Sequence, residues 1–220
     1  MKKDAEIVEL GESMEQTIEM SNLSVVSDVG EVVLDSVMQD GLLKDIPILG
    51  VIAGSCKCIK NVSDIFFTKK LIVFLQGICD ADIKERQEAI EKWETDSNYR
   101  IRIGESLIGM IHRCDDSLKA KWLSQLFYSL VLKRGMSAMF MRTEKVLSAL
   151  SVMDVLSFLS LSCYEELKVA EAEPYANSGL YRLVPGDTEV ENETIVLNES
   201  KMAISEAGNW IYKVLNNIVQ

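Results

Sequence analysis

Between Val51 and Val73 apolar pairs recur every seven residues: Val51 with Ile52, Cys58 with Ile59, Ile65 with Phe66, Ile72 with Val73. Such a recurrence keeps one side of an α-helix apolar, whereas a strand, alternating every two residues, has no use for it. The spacing predicts a long helix opening at Asp45, with Pro47 in its first turn, where a missing N–H costs nothing. It should run to about Leu75 and end near Gly77. Gly50 and Gly54 fall beside the stripe, so another helix, from this chain or a partner, is expected to pack closely there. On the same helix Cys56 and Cys58 point about 200° apart and cannot readily share one metal ion. Their expected role is core packing.

The rest of the chain supports a mainly α fold. Only three prolines and twelve glycines interrupt 220 residues, while 48% are apolar, enough for a sizeable core. Helical stretches are expected at about 4–20 and 22–40, the second with Val25, Val26, Val29, Val32, Val33 and Val37 on one face and Gly41 as its stop. Asp80 or Asp82 opens a charged helix with Ile83, Ala89, Ile90 and Trp93 inward. A further stripe runs through Ile101, Leu107, Ile108 and Ile111, and Asp115 or Asp116 caps a helix through Leu118, Trp122, Leu126 and Leu130. Past Gly135 the pattern continues to Leu150, and Ser151 is a candidate cap for the next helix.

After about Ser162 the texture changes. A helix over the glutamates at 165–173, strands at Leu180–Val184, Thr194–Leu197 and Lys201–Ile204, a turn at Pro185-Gly186 and a last helix from Ser205 are expected. The fold class is therefore mainly α, a multi-helix domain followed by a small α+β unit with a β-hairpin. Its parts are acidic N-terminal helices over 1–41, a central helical domain over 42–150 and a C-terminal unit over 151–220.

The net charge of −11 is unevenly placed: −8 over residues 1–40, +4 over 41–145 and −7 over 146–220. Acidic ends repel phosphate backbones and anionic lipid, which disfavours nucleic acid as a partner. Five scattered cysteines, Cys56, Cys58, Cys79, Cys114 and Cys163, lack a disulfide framework. With no signal-peptide pattern at the start and no apolar run of about 18 residues, a cytoplasmic protein is expected.

The segment "SGLYRL", the hairpin after it and "ISEAGNWIYKVL" resemble the tail of winged-helix modules. That likeness implies a recognition helix before "SGLYRL", but the stretch carries Glu165, Glu166, Glu171 and Glu173 against Lys168 alone, so protein binding or a structural use is expected instead of DNA binding. The middle of the chain, Phe66-x-x-Lys69-Lys70-Leu71-x-x-Phe74-Leu75 and then Arg113-x-Asp115-Asp116-x-x-Lys119-Ala120-Lys121, resembles a family of small uncharacterised bacterial helical proteins, some associated with mobile elements and phage defence. The resemblance implies no catalytic residues.

His112, the one histidine, lies close in sequence to Cys114, Asp115 and Asp116. A cation at a helix end and anions at the start of the next are favoured by the helix dipoles, so capping accounts for all of them. No phosphate-binding glycine loop is present. No catalytic residue, metal ligand or cofactor is therefore expected. The basic concentrations, Lys69-Lys70 and Lys133-Arg134 with Arg142, and the adaptable Met136 and Met139, are the candidate docking residues for another protein, a second copy of this chain included. The expected function is a non-enzymatic interaction subunit or regulator. The alternatives are a membrane-acting effector that inserts the 46–75 helix only in a triggered state, and a transcriptional regulator resting on the C-terminal unit.

Overall fold

A computed structural model describes residues 2–28, 45–55, 62–96, 101–175, 177–186, 188–191, 194–197 and 199–217. The expected helix beyond residue 28 and the Cys56-Lys57-Cys58 stretch lie outside these residues. The chain divides into two compact units, Met1–Ser137 and Ala138–Gln220. The first boundary expected, at residue 41, is not a unit boundary, and the helix after Gly135 belongs to the second unit.

The first unit contains α1 (Lys2–Ile18), a 3-10 turn (Leu23–Asp28), α2 (Pro47–Ser55), α3 (Val62–Gln76), α4 (Ile83–Thr95), α5 (Ile103–Arg113) and α6 (Ser117–Leu126), which runs on into a π-helical turn (Phe127–Leu132). α1 is its organising element and packs on both α5 and α2. Two glycines allow the first contact. A Cβ on Gly104 would overlap the carbonyl oxygen of Gly11 and sit 2.8 Å from its carbonyl carbon, and one on Gly11 would sit 3.0 Å from the Glu105 nitrogen. At this crossing the buried Glu15 carboxylate takes the Gly104 N–H at 3.1 Å and the Arg102 Nε at 3.2 Å. Glu94 takes the Ile103 N–H at 3.1 Å. Two acidic side chains from other helices thus satisfy the open N–H groups at the start of α5, where a negative charge also meets the positive end of the dipole.

The two ends of the α1–α2 connection are fixed in the same way. Thr17, fully buried, donates to the Ser13 carbonyl and accepts the Ile48 N–H at 3.0 Å, tying the first turn of α2 to α1. Arg86 on α4, 2% exposed, donates to the carbonyls of Ile18, Met20 and Ala81 and so closes the C-terminal end of α1. Burial lowers its guanidinium pKa from the ordinary value, a shift that Asp82 and Cys79 oppose.

The single apolar stripe expected from Val51 to Val73 is corrected. α2 buries Ile48, Leu49 and Ile52 and packs on α1; α3 buries Thr68, Leu71, Ile72, Phe74 and Leu75 and packs on α6 and α5. At about 100° per residue, the faces centred on residues 52 and 68 would be roughly 160° apart on one helix. Each helix faces its own partner, so Ile65 and Phe66, assigned inward by the repeat, are 43% and 59% exposed. Ile101 is likewise exposed, and Ile103 fills the core position beside Leu107 and Ile111. Asp82 and Asp116 cap α4 and α6 by accepting the N–H two residues on. Gly135, at φ +65°, ends the π-helical turn in a conformation that suits glycine.

The second unit contains α7 (Ser137–Ala149), α8 (Val152–Leu159), β1 (Glu166–Lys168), a 3-10 turn (Glu173–Tyr175), β2 (Tyr181–Val184), β3 (Thr188–Glu191), β4 (Thr194–Leu197), β5 (Lys201–Ile204) and α9 (Glu206–Leu215). β1, β5 and β2 form an antiparallel sheet in that order, and β3 pairs with β4. Tyr181 faces Ile204, Val184 faces Lys201, Thr188 faces Leu197 and Glu191 faces Thr194. This register is unchanged across the Pro185-Gly186 break, so that dipeptide interrupts one arm of a long hairpin. The reversal expected at Pro185-Gly186 falls between β3 and β4 instead.

Its core is aromatic. Phe158 lies 5.5 to 6.5 Å, ring centre to ring centre, from Tyr164, Tyr175, Tyr181 and Tyr212, with the rings edge-on. The Tyr181 and Tyr212 hydroxyls donate to the carbonyls of Tyr164 and Leu161, which satisfies one buried and one half-buried phenol, and burial pushes the Tyr181 pKa well up. Ser151 forms a reciprocal capping box with Asp154, and Ser205 accepts the Gly208 N–H. The expected mainly α fold with a small α+β unit is present, but the recognition helix is not. Glu166–Lys168 pairs with β5, and the helical part that follows is only the three-residue 3-10 turn Glu173–Tyr175, with Pro174 at its centre.

Candidate functional site

In the first unit a groove of about 830 Å³ lies between α3 and α6. Lys70 lies beside the start of α6 and Gly77 lies against Ser124, so the two helices run parallel along it. One wall is built by Phe66, Lys69, Lys70, Val73, Gln76 and Asp80, and the other by Asp115, Asp116, Ser117, Lys121 and Gln125. Phe66, 59% exposed, stands at one end. The spacing 66, 69, 73 and 76 on α3 alternates steps of three and four, the pattern with which one helix presents itself to another, and Asp80 follows in the turn beyond the helix end.

Several charges of the groove are also structural. Lys70 Nζ donates to the carbonyls of Cys114 at 2.5 Å and His112 at 3.2 Å, placing a cation at the C-terminal end of α5. Asp116 caps α6 through the Leu118 N–H at 2.6 Å, and Asp115 pairs with the buried Lys119 at 3.0 Å. Asp116 therefore acts as the cap, as its place in the sequence suggests, whereas Asp115 makes an ion pair one turn along the helix instead. His112 is exposed in the last turn of α5, its ring 6.1 Å from that of Phe67, and Cys114 is buried with its thiol on the Met110 carbonyl.

The other candidate docking residues are engaged within their own units. Lys133 pairs with Glu85 at 2.7 Å and lies over the Tyr128 ring. Arg134 donates to the carbonyl and hydroxyl of Ser129, and Arg142 stands 3.8 Å from Glu206. Met139 is buried and Met136 half-buried. The groove thus keeps Lys69 and Lys70 from the expected set and adds Phe66, Val73, Asp80 and Lys121.

Gly50 and Gly54 line a shallow, open depression with Glu9, Gln16, Pro47 and Val51. A Cβ on Gly54 would meet nothing within 4 Å, so no helix among the described residues packs against it. A close helix approach over glycines is made at Gly11 and Gly104.

Among the described residues, no three His, Cys, Asp or Glu side chains are grouped so as to hold a metal ion. No helix among them is long and apolar enough to cross a membrane. Cys79 is half-buried, and burial, with Asp80 beside it, raises its thiol pKa and disfavours the reactive thiolate.

The Phe66 side of the groove escaped the sequence because a seven-residue repeat marks a face without saying which partner takes it. A signal was present: Phe66 is followed at helical spacing by Lys69 and Lys70, an unusual border for a core position. No protein-family model matches the chain, and neither curated proteins nor solved structures give a significant match.

Proposed function

We propose that the chain is a non-enzymatic protein-binding subunit or regulator and that the groove between α3 and α6 is where it docks. One observation carries this. The two segments singled out in the sequence, Phe66 to Leu75 and Arg113 to Lys121, are distant in the chain, yet residues of both line a single groove. Its exposed aromatic ring bordered by charges of both signs has the anatomy of a protein-binding surface, an apolar anchor inside a polar rim. The bacterial and phage-defence setting rests on the resemblance of these same segments.

The test is affinity capture from the native host with quantitative mass spectrometry, comparing the wild-type chain with Phe66→Glu. Burying a phenylalanine contributes about 1.5 to 3 kcal/mol, so the charged variant is expected to lose its partner at least tenfold. Its circular dichroism should be unchanged, because Phe66 leaves the core of α3 to Leu71, Phe74 and Leu75. Equal recovery of the same partners by both proteins would place docking elsewhere.

A further inference from the structure

We infer that the groove takes an amphipathic helix of another protein, carrying a carboxylate that meets Lys121 beside apolar side chains that cover Val73 and Phe66; this deepens the docking function proposed above and rests on it. The walls decide in favour of a helix. They are helical from Phe66 to Gln76 and from Ser117 to Gln125, so their backbone groups are bonded within α3 and α6 and offer no sheet edge for an extended segment to join. Phe66 is the one aromatic ring among the described residues that line the groove, too few for the aromatic slots that grip a proline-rich segment. The spacing 66, 69, 73 and 76 on α3 is the one that a facing helix matches with its own residues at i, i+3, i+4 and i+7.

Charge narrows the class further. Lys70 holds the carbonyls of His112 and Cys114, Asp116 caps α6, Asp115 pairs with Lys119, and Lys69 is also engaged within the chain. Asp80 lies in the turn past the end of α3, beside the Cys79 thiol. The Lys121 ammonium is exposed and makes no ion pair or hydrogen bond among the described residues. Because α3 and α6 run parallel with Gly77 against Ser124, Val73 and Lys121, about one turn earlier on each, face one another across the groove. An apolar side chain laid over Val73 therefore draws water away from Lys121 as well, and a cation that loses water needs an opposite charge to offset the cost. A carboxylate three or four residues from that apolar anchor lies on the same face of the incoming helix and supplies it. A second apolar side chain, two turns from the first, reaches Phe66, which stands two turns before Val73 on α3.

Two designed helical peptides of about 20 residues serve as probes, each alanine-based with leucines two turns apart and differing only in a glutamate or a lysine one turn after the first leucine. Fluorescence anisotropy reads their binding to the full chain. The glutamate peptide is expected to bind about fivefold more tightly than the lysine peptide, a difference that added salt reduces. Lys121→Glu should reverse the order, and Phe66→Glu should weaken both peptides about tenfold. Both positions are exposed, so circular dichroism should show the fold retained. A third peptide with prolines at two central positions, which cannot form the helix, should not bind. Equal affinity for the two charged peptides, a preference that survives Lys121→Glu, binding by the proline peptide, or no saturable binding by any of them would overturn the inference. In the capture experiment proposed above, Lys121→Glu should also lower recovery of the partner that Phe66→Glu loses. Undiminished recovery by Lys121→Glu would overturn the acidic helix and leave the docking function standing; undiminished recovery by Phe66→Glu would remove both.

Discussion

Gly104→Ala is expected to lower the melting temperature of the Met1–Ser137 unit by about 10 °C, from a loss of roughly 3 kcal/mol. One methyl group is enough because it would fall on backbone. The new Cβ would overlap the Gly11 carbonyl oxygen and press on the Glu15 side chain at 3.0 Å, and a carbonyl within a helix cannot swing aside as a side chain can. To admit it, α1 and α5 must separate, which also stretches the bond from the Gly104 N–H to Glu15. A control lies five residues along the same helix. At Gly109 a Cβ would find only Arg113 Nη1, at 3.5 Å, an ordinary contact with a movable side chain. Gly109→Ala should therefore stabilise by up to about 1 kcal/mol, since alanine loses less chain entropy in a helix than glycine. Thermal melts followed by circular dichroism report both, and equal effects at the two sites would contradict the close α1–α5 crossing.

Arg86→Leu is the second large effect, with an expected loss of about 3 to 5 kcal/mol read from denaturant titration. Replacing a buried ion pair with apolar residues is often harmless, because both charges leave together. Arg86 differs: its recorded partners are the neutral carbonyls of Ile18, Met20 and Ala81, which remain when the guanidinium is gone. Ile18 is itself fully buried, so water cannot replace the lost donor without opening the α1–α4 contact. Arg86→Lys keeps the charge but not the planar fork that reaches several carbonyls at once, and should fall between wild type and leucine. Because a guanidinium titrates far above neutral pH and stays protonated there even when burial lowers its pKa, the contribution should be flat across neutral pH. Loss of less than about 1 kcal/mol in Arg86→Leu would mean that the end of α1 is held by other contacts.

Local signals in the sequence were read well where the physics is local. Asp82, Asp116, Ser151 and Ser205 are caps because a short polar side chain before an apolar run has an open N–H within reach, and all four accept one. The stripe of α5 and the small α+β unit after it were legible for the same reason. The errors share a different cause. The seven-residue repeat carried Ile65 and Phe66 inward because periodicity cannot say that α2 packs on α1 while α3 packs on α6 and α5. The glutamates at 165–173 suggested a helix, but Leu167 sits in a strand paired to β5 more than thirty residues further on. The docking groove was half legible: Lys69 and Lys70 stood out as charge, whereas Phe66, Val73, Asp80 and Lys121 become one surface only when α3 and α6 lie side by side.

Hydrogen exchange tests the central claim, that partners dock in the α3–α6 groove, most directly. Amides of the free chain are compared with those of the chain bound to the protein it captures. Slowed exchange is predicted in peptides covering Ile65 to Asp80 and Ser117 to Gln125, with the hairpin strands from Tyr181 to Ile204 unchanged. Protection confined to the hairpin or to α8, with α3 and α6 exchanging as in the free chain, would contradict it.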